Sequence, residues 1–128
     1  MTRQELADAY RAYIDCLNRQ DWPNLDRFVH DEAIHNGNAI GLSGYRQMLE
    51  RDFQNIPDLR FTIKLLVSAP PIIASILSFD CCPKGTFLGL AVNGKKVHFT
   101  ENVFYDYVGG KIKNVHSIID RAAIEAQL

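Results

Sequence analysis

The sequence is poor in the features that mark a specialised scaffold. Three of its 128 residues are cysteine, and two of them, Cys81 and Cys82, are adjacent. That arrangement does not build a disulfide framework and suits a reducing, cytoplasmic compartment. No apolar run approaches the eighteen or so residues that cross a bilayer. The opening MTRQELADAY carries charge where a secretory signal needs an apolar stretch. Lys and Arg number 14 against 15 Asp and Glu, a formal net charge of −1. The chain therefore has no electrostatic footprint for nucleic acid or an anionic membrane. The four histidines show no metal-site spacing with the cysteines, so no metal is expected. A phosphate-cradling glycine loop and a dinucleotide fingerprint are also missing, and no cofactor is expected.

What is present is an ordinary globular composition, 47% hydrophobic and 23% charged, over the length of one domain spanning residues 1–128. Thr2 and Glu5 form a capping box, after which Leu6, Tyr10, Tyr13, Ile14 and Leu17 recur at helical spacing to about Arg19. Asp21 is placed to cap a second helix carrying Leu25, Phe28 and Val29. Ser43 is placed to cap a third helix running to about Phe53, with Tyr45, Met48 and Leu49 as its apolar side. The period then changes. Arg60 to Leu65 alternates, Ile72 to Phe79 is β-branched, Phe87 to Ala91 is extended, and Asn93-Gly94 turns. This order predicts an α+β fold with three N-terminal helices packed on a curved antiparallel sheet of four or five strands, closed by a tail helix.

The chain ends in a hairpin, KKVHFTENVFYDYV and KIKNVHSIID about Gly109-Gly110. Two glycines supply the positive φ values of a two-residue turn. Unbroken pairing from Val108 opposite Lys111 sets Val103 against His116, Glu101 against Ile118 and Phe99 against Asp120. One face would then carry Phe99, Glu101, Val103, His116, Ile118 and Asp120, a mixture that suits a pocket wall. In that register Glu101 lies about 5.5–8 Å from Asp120 at Cβ, and His98 faces outward. A one-residue slip would turn Glu101 outward instead.

Several segments in this order resemble the SnoaL-like polyketide cyclases of the nuclear transport factor 2-like superfamily. They are LNRQDW, HDEAIHNG, GLSGYRQ, PDLRFTI, FLGLxxNGKKV at 87–97, and GKIxxxHxxxD at 110–120. The resemblance implies a cone-shaped α+β barrel around a deep apolar pocket, and a homodimer through the outer face of the sheet. It also implies that Asp120, at the end of the last strand, acts as general acid/base on a hydrophobic small-molecule substrate such as a polyketide or terpenoid intermediate. The chain departs from the family's usual pattern at His116, where Trp is common, and at Asp80-Cys81-Cys82-Pro83, where Thr-His is common.

The candidate catalytic residues are thus Asp120, Glu101 and His35. Asp120 also stands directly before RAAIE, where it would cap the tail helix. Glu101 is the partner that would keep one carboxyl of a pair protonated. His35 is an oxyanion donor or substrate orienter at the pocket mouth, or else an exposed loop residue. The candidate substrate-binding residues are His116, Phe99, Val103, Ile118, Asn38, Tyr13 and Phe53, of which His116 has a core reading beside the functional one. The chemistry expected is cyclisation or isomerisation of a carbonyl compound. Hydrolysis or dehydration by a Glu101/Asp120 pair and non-catalytic binding are the alternatives.

Overall fold

The computed structural model describes all residues, 1–128. Helix α1 (Arg3–Asn18) begins at the expected capping box: the Thr2 hydroxyl accepts the Glu5 N–H at 3.0 Å, and Glu5 accepts the Thr2 N–H at 2.9 Å. Its stripe of Leu6, Tyr10, Tyr13, Ile14 and Leu17 is buried. Asn18, in its last turn, is bonded through its side-chain amide to both the N–H and the C=O of Phe61. That pair ties the end of α1 to the entry of the sheet. The expected second helix is instead a short 3-10 stretch, Trp22–Arg27, and the Asp21 side chain makes no capping bond. Pro23 in its first turn and the early return of extended backbone at Val29 leave no room for an α-helix. Helix α2 (Gly41–Asn55) buries Tyr45 and Leu49 and packs on the first strand.

The sheet corrects the all-antiparallel expectation. It has six strands in the order β2-β1-β8-β7-β4-β3 and is mixed. Its members are β1 (Val29–His35), β2 (Asn38–Ala39), β3 (Thr62–Ala69), β4 (Ile72–Cys81), β7 (Val97–Val108) and β8 (Lys111–Ile119). Strand β1 lies parallel to β8. A small separate hairpin, β5 (Thr86–Phe87) with β6 (Leu90–Ala91), projects between β4 and β7. Tail helix α3 spans Arg121–Glu125.

One side of the sheet is core. Ile73, Ser75, Leu77, Phe79 and Cys81 alternate inward on β4, and Val97, Phe99, Val103, Tyr105 and Tyr107 do so on β7. The Gly109-Gly110 turn has both φ values positive, at 60° and 79°, and Val108 pairs with Lys111 as expected. Beyond that point the register differs. Tyr107 pairs with Ile112 but Asp106 with Asn114, so Lys113 is an extra residue in β8. This β-bulge bends the strand and advances every later partner by one. Glu101 therefore faces Ile119, Val103 faces Ser117, and Phe104 faces His116.

The same bulge ends β8 before β7 is covered. The exposed edge of β7 is satisfied locally: the Asp120 N–H bonds to the Thr100 carbonyl at 2.9 Å, and the Gln127 amide bridges the N–H and C=O of His98. Helix α3 is thereby fastened to the end of the sheet.

Candidate functional site

Between α1, α2 and the inner face of the sheet lies a cavity of about 440 Å³. Its walls are mainly apolar, with Leu17, Met48, Leu49, Leu77, Val103, Val115 and Ile119 contributing. The polar groups in this lining converge from four elements: Asp52 from α2, Glu101 from β7, Ser117 from β8 and His35 from β1.

Glu101 and Asp52 are partly buried carboxyls that both line the cavity. Burial pushes Glu101 up to about 7; the Ser117 hydroxyl pulls it down by hydrogen bonding to the ionised form, and the Asp52 charge raises it further. Burial likewise raises Asp52 to about 6, against a smaller lowering by Arg51. Two carboxyls that repel one another in an apolar setting titrate as a pair, one of them holding its proton near neutral pH. Ser117 Oγ also lies 3.4 Å from His35 Nε2. Burial lowers the His35 pKa, so the ring is neutral and one of its nitrogens carries a proton to donate.

A second polar feature is a set of phenols. Tyr13 and Tyr45 both line the cavity, and their hydroxyls are 2.7 Å apart. One hydroxyl must accept from the other, which leaves the acceptor's own proton free to donate elsewhere. Burial raises the pKa of both phenols, and the Glu101 charge raises that of Tyr45 further. Behind them the Tyr10 hydroxyl donates to that of Tyr105 at 3.3 Å. The His35 ring meets Tyr45 edge-on, with centroids 6.4 Å apart.

The residues proposed from sequence divide between inside and outside. Glu101, His35, Val103 and Tyr13 line the cavity, and Phe99 lines a smaller chamber beside it. Asp120 does not. Its Oδ1 accepts the Ala123 N–H at 3.1 Å as the N-cap of α3, and its side chain borders a separate polar groove with Thr62, Asp80, His98 and Thr100. The physical cause is the Lys113 bulge, which leaves Asp120 just past the end of β8. The same shift puts His116 and Ile118 on the outer face, both exposed, Ile118 at 75%. Neither can line a pocket on the inner face.

Asn38 is exposed on β2, and it is Asn36 that borders the cavity, its amide bonded to both backbone groups of Ser117. Phe53 packs against Trp22 and Phe61, with centroids 5.7 and 6.1 Å away, and faces a shallow surface depression.

Asp52, Ser117, Tyr45 and Arg121 were not foreseen as site residues. Asp52 had a legible signal, since Tyr45, Leu49, Asp52 and Ile56 follow the i, i+4, i+7, i+11 stripe of one helix face. A carboxylate in an apolar stripe is a buried acid. Ser117 had none, because only the bulge turns it inward.

A curved mixed sheet wrapped on helices around an apolar, acid-bearing cavity defines a small-molecule-binding protein of the nuclear transport factor 2-like fold. The chain belongs to the SnoaL-like polyketide cyclase family, whose pattern matches residues 7–128. It is similar to the SnoaL-like polyketide cyclase Atu3018 of Agrobacterium tumefaciens, at 52% identity and TM-score 0.94, covering 95% of this chain and 96% of that one. TsrD of Streptomyces laurentii shares the fold at 20% identity and TM-score 0.86, over 99% and 96% of the two chains. So does IdmH of Streptomyces antibioticus, at 16% identity and TM-score 0.81, over 95% and 96%. No curated protein matches the sequence significantly.

Proposed function

We propose that the protein is a cofactor-independent acid/base enzyme that cyclises or isomerises a hydrophobic carbonyl compound, with Glu101 as the base that takes and returns the proton and Asp52 as the neighbouring carboxyl whose charge raises its pKa. The observation that carries this reading is the pair of carboxyls in one apolar cavity, both raised by burial toward neutral pH. A base poised near the working pH combines a useful ionised fraction with real basicity.

The chemistry follows from the geometry. Ionised Glu101 takes a proton from the carbon beside a carbonyl; the C–H electrons move into the new C=C bond, and the carbonyl oxygen becomes an enolate. The free phenol proton of the Tyr13–Tyr45 pair hydrogen-bonds that oxygen. Glu101, now protonated, then returns that proton to a different carbon of a conjugated enolate, which completes an isomerisation and regenerates the carboxylate. In a cyclisation the enolate carbon attacks a second carbonyl, and the proton goes to the new alkoxide.

The outer face supports a homodimer. Leu65, Val67, Ile72 and Phe104 are 40–56% exposed there, and Ile118 more so. An apolar sheet surface of this kind is covered most simply by a second copy of itself. Three free thiols, none of them disulfide-bonded, suit the cytoplasm.

Deuterium exchange at the α-carbon of butyrophenone in heavy water tests the acid/base reading. Wild-type protein is expected to catalyse exchange, and Glu101→Gln to lower the rate by about 10²–10⁴-fold. Equal rates for the two, or no exchange by either, would favour a non-catalytic binding protein.

A further inference from the structure

Glu101 and Asp52 do not sit at the blind end of the cavity. Both also line a second chamber of about 70 Å³, together with Phe61 and Ile119, which are likewise common to both spaces. The two acids therefore stand at a threshold. On one side is the large cavity with its phenols, His35 and Ser117. On the other, the remaining walls are hydrocarbon, and four phenylalanines dominate them.

These rings are held as a set. Phe79 and Phe99 stack at 5.1 Å with 19° between their planes, Phe61 meets Phe79 edge-on at 5.3 Å, and Phe87 lies 5.7 Å from Phe99. Three of them belong to the core strands or their flanks. Phe87 comes from the β5–β6 hairpin and forms one wall of the chamber. Its seat is fixed next door, where Nε of Arg121 donates to the Leu88 carbonyl at 2.9 Å. A core that needed only to be filled would leave no such space, because protein interiors close-pack. The chamber offers no hydrogen-bond partners beyond the two acids, so water gains little there.

We infer that this chamber is a subsite for a short unbranched alkyl group of the substrate, attached next to the carbon on which the acids act. The inference rests on the acid/base reading for its orientation and adds the substrate class: a ketone or related carbonyl compound with a small saturated arm. The volume admits roughly three or four carbons. With the carbonyl among the phenols and the reacting carbon at the threshold, the arm passes between Glu101 and Asp52 into the phenylalanine box.

The test is a binding series of n-alkyl phenyl ketones, from acetophenone to octanophenone, followed by calorimetry. Each methylene that enters the chamber should tighten Kd about fourfold, up to an alkyl arm of three or four carbons, after which affinity should fall. Phe87→Ala enlarges the box from a partly buried wall and should move the optimum to longer arms by two or three carbons. Leu59→Phe, which fills it, should abolish the preference for anything longer than propiophenone. Circular dichroism shows whether each variant is folded; if Phe87→Ala is not, Phe87→Leu makes the same measurement with a smaller shift.

A Kd that tightens without an optimum, an optimum unmoved in a folded Phe87 variant, or no saturable binding by the series would overturn the inference. Failure of the acid/base reading looks different. It abolishes the effect of Glu101→Gln on α-carbon exchange and leaves the chain-length optimum in place.

Discussion

The Ser117 hydroxyl lies 3.4 Å from Nε2 of His35, and its presence beside Glu101 holds that carboxyl below the value burial alone would give it. Three elements, β1, β7 and β8, thus bring polar side chains to one side of the cavity. Ser117 reaches it because β8 carries one residue more than β7 between Asp106 and the turn.

Removing that hydroxyl should change the base without removing it. Ser117→Ala takes away the group that stabilises the Glu101 carboxylate, so the Glu101 pKa should rise. The ascending limb of kcat/KM against pH would move to higher pH. Activity at pH 7 should fall severalfold while the plateau above pH 9 or so is retained. A profile lowered equally at every pH would show that Ser117 positions substrate instead.

Glu101 should also govern stability, with a sign opposite to that of a surface carboxylate. Its ordinary value is 4.5 and its value in the fold about 7. Between these pH values the folded chain holds a proton that the unfolded chain has released. Its stabilising effect is complete below pH 4.5 and is lost as pH rises through 7. Asp52, raised from 3.8 to about 6, acts in the same direction. Chemical denaturation should therefore show greater stability at pH 5 than at pH 8, by on the order of 2 kcal/mol. Glu101→Gln should flatten that dependence and be more stable than wild type at pH 8. A wild type that is most stable at pH 8 would mean that the two acids are solvated.

Local chemistry explains which features were readable in the sequence. The Thr2–Glu5 box, the Gly109-Gly110 turn and the stripes of α1 and α2 depend on residues within a few positions of one another. The one-residue shift did not turn Glu101 outward as expected of a slip, because the extra residue lies in β8 and leaves the alternation of β7 untouched. His116, Ile118 and Asp120 depend on counting through β8, and one inserted residue moved all three. Nothing about Lys113 announces a bulge; its ammonium pairs at 3.0 Å with Glu32 on β1, a strand whose parallel pairing was not foreseen. Asp52 was legible from its place on the Tyr45, Leu49 and Ile56 stripe.

The outer face gives a test of assembly that is independent of the cavity. Phe104 and Ile118 are 56% and 75% exposed, on adjacent strands of a surface that also carries Leu65 and Val67. Charges placed there face like charges across a two-fold axis. Phe104→Lys with Ile118→Lys should convert a dimer to a monomer in light scattering and leave ketone binding within about twofold of wild type, since neither side chain reaches the cavity. A wild-type monomer at micromolar concentration would remove the dimer from the proposal.

Asp120 offers the sharpest separation of structure from chemistry. Its Oδ1 caps α3 through the Ala123 N–H at 3.1 Å, and its side chain opens onto a groove apart from the Glu101 cavity. A lost cap costs about 1 kcal/mol, whereas Asn replaces Asp as a cap with little penalty. Asp120→Ala should lower stability by about that amount, and Asp120→Asn by much less. In both, kcat/KM should stay within about threefold of wild type under conditions where the chain is folded. The residual effect would pass through Arg121, which follows the cap and holds the Leu88 carbonyl at the cavity mouth. If Asp120→Asn instead lost activity by a hundredfold or more with its stability intact, the base would be Asp120, and α3 would have to move to bring it inward.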